Sequence, residues 1–243
     1  MNSIEKAWKT FLKDCITNGE WVTKDDGDQI LEIIDNHTFI PNVCDSMAGG
    51  NVEVSPTMYL KLLREGVLNV DGYPMKNIEL EIYAKQLDDP KHIYLEDDNS
   101  FIYTYPERLL NVCQVTRFGE VVSENQVTTM VNRLKEYSGT NRAVANLYMC
   151  AFDKDEQHIP CLNFVQALIR DNELSLHILF RSNDCWGAFP SNMFFIQYLG
   201  MKITNELKNE YPLLKFRGIQ YNSTSLHIYK GDYDQAMKVV RGE

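Results

Sequence analysis

The first candidate functional residue is a cysteine at the start of an apolar segment. Pro160-Cys161-Leu162-Asn163 places a thiol at the start of an apolar stretch typical of a strand, and the ends of such elements commonly carry functional groups. A thiol there could act as a nucleophile. A packed cysteine is the commoner outcome, since free cysteines behave as small buried hydrophobes.

A second polar cluster follows another apolar run. Arg181-Ser182-Asn183-Asp184 comes directly after Phe180. It offers a guanidinium fork and a hydroxyl, which suit a phosphate, with a carboxylate beside them. An ordinary polar turn with an Arg–Asp pair explains the segment as well.

Two further segments carry groups that could bind or move protons. The alternating stretch Ser225–Tyr229 puts His227 and Tyr229 on one face of a strand. Such a pair could bind a sugar hydroxyl, although a satisfied core pair is commoner. Glu79 and Glu81 fall in a helical pattern, where a solvated face is the default.

Composition limits the kinds of function these groups can serve. The chain has 243 residues, with 24 Lys+Arg against 34 Asp+Glu, so the formal net charge is 24 − 34 = −10. This balance argues against a protein that coats duplex DNA or binds anionic membranes, because both need clustered cations. A small anion needs only a few local arginines and remains compatible.

No stretch approaches the roughly 20 apolar residues that span a bilayer, and the N-terminal segment lacks the apolar core of a signal peptide. We therefore expect a cytoplasmic protein, or one of the host cytoplasm if a phage encodes it. The six cysteines have no zinc-ligand spacing, so we expect reduced thiols and no metal site.

Apolar periodicity predicts the elements that position these groups. In the first half it predicts a helix over 3–18, a hairpin from Trp21 with a strand over Gln29–Ile34, helices over Pro56–Glu65, Asn77–Gln86 and Gln126–Tyr137, and a buried strand over Arg142–Phe152. In the second half it predicts paired strands over Leu162–Arg170 and Leu174–Phe180, a turn over Phe189–Asn192, a helix over Phe194–Leu207, a strand over Ser225–Tyr229 and a helix over Tyr233–Val240. One α+β domain spanning 1–243 is the simplest account.

Taken in order, the motifs resemble the thymidylate synthase family, which includes the phage deoxycytidylate hydroxymethylases. The resemblance is carried by CLNFVQALIRDNELSLHILFRSNDCWGAFPSN (161–192) and SLHIY (225–229). Upstream, IELEIYAK (78–85) is similar to the family helix that bears a catalytic glutamate, and 21–39 is similar to the hydroxymethylase hairpin. The resemblance implies a mixed β-sheet packed with helices, one face of which forms a homodimer interface.

It also implies roles for individual residues. Cys161 would add to C6 of the pyrimidine, with its thiol pKa lowered by the phosphate-binding arginines, and Glu79 would organise water and shuttle protons. Arg142 would reach the partner's phosphate site, where Asn141 replaces a second family arginine. The implied substrate ligands are Arg142, Arg181, Ser182, Asn192, His227 and Tyr229. The implied folate ligands are Asp184 and Tyr94. Tyr94, with Tyr103 and Arg108, lies in the region that usually forms the folate wall in this family.

Asn192 matches the residue that selects the base. An amide can accept from N3–H and donate to O4 of uracil, whereas a carboxylate suits the N4 amine of cytosine. The cytosine hydroxymethylases carry Asp here, and this chain carries Asn as the synthases do. The resemblance therefore favours dUMP over dCMP.

The product is left open between two reactions. Methylation of dUMP by 5,10-methylenetetrahydrofolate, or a related pterin, is the first reading. Hydroxymethylation of dUMP or dCMP is the alternative, because the chain ends at Arg241-Gly242-Glu243 without the apolar tail that excludes water in many synthases. A catalytically silent nucleotide-binding relative is a third reading, against which the retained Cys161 argues.

Overall fold

A computed structural model describes residues 1–45, 54–88, 103–115, 118–156 and 158–243. Within these ranges the helices are α1 (Ser3–Asn18), α2 (Pro56–Arg64), α3 (Asn77–Lys85), α4 (Tyr105–Leu110), α5 (Gln126–Glu136), α6 (Cys150–Asp153), α7 (Phe189–Glu206) and α8 (Tyr233–Arg241). The strands are β1 (Glu20–Thr23), β2 (Gln29–Pro41), β3 (Val112–Val115), β4 (Val121–Glu124), β5 (Val144–Asn146), β6 (Leu162–Arg170), β7 (Glu173–Asp184) and β8 (Lys215–Tyr229).

A six-stranded mixed sheet with the order β1-β2-β8-β7-β6-β5 forms the centre of the fold. β7 and β8 run parallel and the other neighbours are antiparallel. β3 and β4 form a separate hairpin. The predicted pairing of the two central apolar runs is confirmed, with Asp171 and Asn172 both at positive φ in the tight turn between them. The predicted α+β class is confirmed.

Helix α7 packs against one face of this sheet. Along β7, Leu174, Leu176, Ile178 and Phe180 are buried and alternate with more exposed residues, as expected for a strand with one covered face. Every residue of α7 from Phe189 to Met201 is buried. A helix that is apolar on nearly all sides must lie in the core, so α7 is held firmly over the sheet.

The first helix is tied to the end of β7. Ile4, Trp8, Phe11 and Cys15 are buried, as their spacing predicts, and the Asn2 side chain caps the helix by accepting from the Glu5 amide. The indole Nε1 of Trp8 donates to the Cys185 carbonyl at 2.8 Å. The five cysteines with described side chains are free thiols, as expected.

Two predicted boundaries are wrong. α7 begins at Phe189 and not at Phe194, because a proline in the first turn of a helix is tolerated where no intrahelical N–H bond is lost. Asn192 therefore lies on the first turn of α7. The strand predicted over Arg142–Phe152 is only Val144–Asn146, and α6 follows it, with the Asp153 carboxylate accepting from the Met149 amide.

Three strands also extend further than predicted: β2 continues to Pro41, β7 continues to Asp184 and β8 begins at Lys215. The polar segment Arg181–Asp184 therefore belongs to β7 and is not a turn. Within the described residues, the helices are too short or too polar to cross a membrane.

The close approach of α7 to the sheet depends on Gly200. A Cβ at this position would lie 2.2 Å from the Phe216 ring on β8. We expect Gly200→Val to lower the unfolding free energy by about 1–3 kcal/mol through overpacking, measured by urea denaturation. Gly231→Val is the control, because a Cβ there meets nothing within 4 Å, and its effect should stay within about 0.5 kcal/mol. Equal stability of the two variants would contradict this packing.

Candidate active site

The Cys161 thiol lies beside the Arg181 guanidinium. Cys161 precedes β6, and its carbonyl accepts from the Arg181 amide on β7 at 2.9 Å. Arg181 Nη2 is 3.8 Å from the Cys161 sulfur. The same guanidinium donates to the carbonyls of Ile159 and Pro160 at 2.8 and 3.1 Å. Backbone acceptors therefore hold the positive charge of Arg181 at the thiol.

Burial dominates the ionisation of this thiol. Removal from water raises the pKa of Cys161, while Arg181 and Lys24 lower it and Asp184 raises it. The expected lowering by arginine is present as a contribution, but the expected net direction is wrong, because desolvation outweighs it. In the free protein the thiol is therefore protonated at pH 7.

The parallel pairing of β7 and β8 aligns the polar segment Arg181–Asp184 with the segment Ser225–Tyr229. Asp184 pairs with His227 and Ser182 with Ser225. The Ser182 hydroxyl is 3.5 Å from His227 Nδ1. The rings of His227 and Tyr229 meet edge to face with centroids 5.1 Å apart. Two of the predicted polar clusters thus form one surface.

His227 has an unused polar atom. The residue is 4% exposed, and its Nε2 is buried with no hydrogen-bond partner among the described residues. Burial, with the nearby charges of Lys24 and Arg181, lowers the pKa of His227 to about 4, so the imidazole is neutral at pH 7. A buried unpaired nitrogen is costly, and a ligand hydroxyl would satisfy it.

Asp184 closes the turn that leads from β7 to α7. Its Oδ1 accepts from the amides of Trp186 and Gly187, both at 3.0 Å. Burial raises the pKa of Asp184 to about 6, against the effect of those two amides. The carboxylate is therefore mostly ionised at pH 7 and is fixed in orientation through one of its oxygens.

Both polar atoms of the Asn192 side chain are hydrogen-bonded. Asn192 is 4% exposed, and its Oδ1 accepts from the Tyr83 hydroxyl at 2.9 Å. Its Nδ2 donates to Asn183 Oδ1 at 3.3 Å. Sequence reasoning assigned no role to Tyr83 or Asn183, and their helix and strand positions alone give no signal of these contacts.

The two glutamates of α3 differ in their surroundings. Glu81 is buried and forms a two-pronged ion pair with Arg64, with contacts of 2.5 and 2.8 Å. Glu79 is exposed, and its Oε2 accepts from the Lys76 amide at 2.7 Å. Residues four apart share a helix face, so Glu79 lies on the face of α3 that carries Tyr83.

Arg142 is not part of this cluster. It is exposed and precedes β5, and its neighbour Ala143 accepts from the Ala167 amide near the far end of β6. At 3.3 Å per strand residue this position is roughly 20 Å from Cys161 of the same chain. Tyr94 lies outside the described residues.

Two residues not singled out beforehand as site residues also lie here. Lys24, in the β1–β2 hairpin, places its Nζ 3.5 Å from the Tyr229 hydroxyl and 5.1 Å from the centre of that ring. The hydroxyl of the half-buried Tyr105 accepts from the Leu162 amide at 3.3 Å, next to Cys161. The contact between Lys24 and Tyr229 arises because Ile30 of β2 pairs with Tyr229 of β8. The sequence of neither strand alone predicts this pairing.

Across the described ranges no group of three His, Cys, Asp or Glu side chains is arranged to hold a metal ion.

The comparisons with known proteins agree with the resemblance in the motifs. A family model described as thymidylate synthase matches residues 80–243. A protein named "Putative thymidylate synthase" from Methanosarcina mazei is 28% identical over 240 residues, which cover 99% of this chain and 93% of that protein. Two further proteins of the same name match over 163 residues, which cover 67% of this chain. The one from Methanococcoides burtonii is 32% identical, and the match covers 67% of it. The one from Methanopyrus kandleri is 34% identical, and the match covers 68% of it. Both kinds of match take in most of the chain, and on this evidence the chain belongs to the thymidylate synthase family.

Proposed function

We propose that this protein transfers a one-carbon unit to C5 of a deoxypyrimidine monophosphate, methylating dUMP to dTMP, with Cys161 as the nucleophile. The observation that carries the proposal is the Arg181 guanidinium 3.8 Å from the Cys161 sulfur. The carbon C5 of a pyrimidine is a weak nucleophile until a thiolate adds to C6. A cation beside the sulfur stabilises that thiolate once it forms.

The neighbouring residues suit a nucleotide. Arg181 and Ser182 would bind the phosphate, and Lys24 adds a positive charge close to Tyr229. The unpaired Nε2 of His227, together with Tyr229, would bind the deoxyribose hydroxyl. Asn192 would read the base through the amide group that α7 presents. We take residues 1–243 to act as one domain, which the continuous hydrophobic core supports.

The Asp184 carboxylate fits an N–H donor such as that of a pterin ring. One oxygen is held by two backbone amides, so the carboxylate is oriented while its second oxygen can accept from a ligand. The family normally uses methylenetetrahydrofolate, which would supply the one-carbon unit and, for a methyl product, the hydride. Glu79 would position water and move protons at the base, and Tyr94 would contribute to the same pocket.

We further propose a homodimer formed through the sheet face that α7 does not cover. Phe39 and Leu179 on that face are 36% and 40% exposed, and Phe164 and Leu168 are half-buried. Apolar side chains on an open sheet favour a partner surface. The roughly 20 Å between Arg142 and its own Cys161 is also expected if Arg142 serves the partner's phosphate site.

The purified protein, mixed with dUMP or dCMP and methylenetetrahydrofolate, tests the function by mass-resolved product analysis. We expect a methyl group on dUMP and formation of dihydrofolate. We expect Cys161→Ser to lose at least a thousandfold in kcat while still binding dUMP, because a hydroxyl is a far weaker nucleophile at this pH. The exposed Cys150 provides the control variant Cys150→Ser, which should keep its activity.

A hydroxymethyl product with tetrahydrofolate returned would replace the methylation proposal by hydroxymethylation. Nucleotide binding without any product, unchanged in Cys161→Ser, would identify a silent binding relative instead.

Asn192→Asp tests the assignment of the base. A carboxylate accepts from the cytosine amine but cannot donate to O4 of uracil, so the ratio of kcat/KM for dUMP to that for dCMP should fall by about a hundredfold or more. Steady-state assays with both nucleotides measure it. An unaltered ratio would mean that another residue selects the base.

The dimer and the role of Arg142 can be tested together. Cys161→Ser and Arg142→Ala should each be nearly inactive, and refolding them as an equal mixture should restore about a quarter of wild-type activity, because half of the dimers then contain one intact site. Mixing either variant with itself is the control. Sedimentation showing an active monomer, or a mixture that stays inactive, would contradict the proposal.

A further inference from the structure

The turn between β1 and β2 holds a lysine in a fixed place. Lys24 directly follows β1, and its backbone closes the turn: its amide donates to the Asp28 carbonyl at 2.8 Å, and its carbonyl accepts from the Gly27 amide at 3.1 Å. Gly27 has a φ of 89°, a conformation that glycine adopts without strain. The backbone of Lys24 is therefore anchored to the hairpin.

Two carboxylates of this turn surround the Lys24 ammonium. Its Nζ lies 2.6 Å from Asp26 Oδ2 and 3.7 Å from Asp28 Oδ2. Asp26 is itself oriented, because its Oδ1 accepts from the Asp28 amide at 3.0 Å. Burial alone would lower the pKa of Lys24, but the bond to Asp26 and the nearby Tyr229 raise it. Lys24 is thus protonated at pH 7, while the carboxylates balance its charge and leave little of it for a phosphate.

The ammonium also contacts Tyr229. Its Nζ lies 3.5 Å from the Tyr229 hydroxyl oxygen and 5.1 Å from the centre of the ring. An ammonium has hydrogens to donate and no lone pair, so it faces the lone pairs of the phenol oxygen. The positive charge therefore turns the Tyr229 hydroxyl hydrogen away from Lys24. This contact has one direction, because a lysine ammonium cannot accept.

Two neighbouring groups on this face are left to bind a ligand. Among the described residues, Lys24 is the hydrogen-bond partner that the Tyr229 hydroxyl has, and the hydrogen of Tyr229 has no acceptor there. His227 Nε2 is buried and likewise without a partner in the described part of the chain. The two rings meet edge to face with centroids 5.1 Å apart. One hydroxyl group of a ligand could therefore contact both side chains.

We propose that Lys24 is a positioning residue that makes Tyr229 a hydrogen-bond donor to the sugar hydroxyl of the nucleotide, and that it is not a ligand of the phosphate. This inference rests on the proposed function, which assigns Tyr229 and His227 to the deoxyribose hydroxyl. The bonds from Lys24 to Tyr229 and from Tyr229 to the ligand run in the same direction, so the charge strengthens the second bond. Lys24 needs no contact of its own with the nucleotide.

Calorimetric titration of the full-length protein, without the pterin, tests this role. The two ligands are dUMP and 2′,3′-dideoxyuridine monophosphate, which lacks the sugar 3′-hydroxyl. The ratio of the analogue's dissociation constant to that of dUMP measures the contribution of this hydroxyl and cancels any effect on the phosphate. In Lys24→Met the ratio should fall by about threefold to tenfold, the worth of one hydrogen bond.

Three further variants separate orientation of Tyr229 from a general effect of charge. Lys24→Arg keeps a charged group that can only donate, so it should keep the wild-type ratio. Lys230→Met is the matched control, because Lys230 follows Tyr229 directly but donates to the Gln29 side chain; it should also keep the ratio. In a Tyr229→Phe background, Lys24→Met should leave the ratio unchanged, since no hydroxyl remains to be oriented.

Equal weakening of both ligands in Lys24→Met would place Lys24 at the phosphate and overturn this inference, while the proposed function would stand. A fall in the ratio that persists in the Tyr229→Phe background would overturn it as well, because Lys24 would then act on the sugar directly. Failure of the wild type to bind dUMP would overturn the proposed substrate and this inference together.

Discussion

The parallel pairing of β7 with β8 brings into one place the groups on which the site depends. Residues such as Ser182 and His227, 45 positions apart in sequence, become neighbours through this pairing. The Cys185 amide donates to the His227 carbonyl at 2.7 Å where the two strands end. A slip of one residue would turn His227 to the opposite face of the sheet, and the buried alternation along both strands opposes such a slip.

Burial moves the ionisable groups of the site toward their neutral forms. It raises the pKa values of Cys161 and Asp184 and lowers that of His227. The Arg181 guanidinium carries the positive charge beside the thiol. Lys24 is paired with Asp26 at 2.6 Å, and Asp184 adds a carboxylate to the site, so in a chain of net charge −10 the attraction for a phosphate depends on Arg181.

Local sequence patterns predicted much of the fold and the main chemical groups. The alternation in β6 and β7 and the spacing of apolar residues in α1 are short-range signals, and all three elements form where predicted, although β7 continues beyond Phe180 to Asp184. The start of α7 was predicted wrongly because Pro190 suits a turn as well as a first helical turn. Because of that wrong boundary, Asn192 was predicted to lie in the turn before α7, whereas it lies in the first turn of the helix.

Contacts between distant segments could not be predicted in the same way. Tyr83 and Asn192 are 109 residues apart, and helical periodicity gives the face of Tyr83 without giving its partner. The balance between burial and charge at Cys161 likewise depends on the packed interior, because desolvation is a property of the three-dimensional surroundings.

The bond between the Trp8 indole and the Cys185 carbonyl has a consequence for synthesis on the ribosome. The apolar face of α1 packs against segments that are translated much later, since Trp8 and Cys185 are 177 residues apart and Cys15 contacts the carbonyl of Leu226. At the usual pace of translation this face stays uncovered for on the order of ten seconds or more. Proteins dominated by such long-range contacts fold slowly, so the apolar face of α1 in the nascent chain is exposed to aggregation until the last strand has left the ribosome.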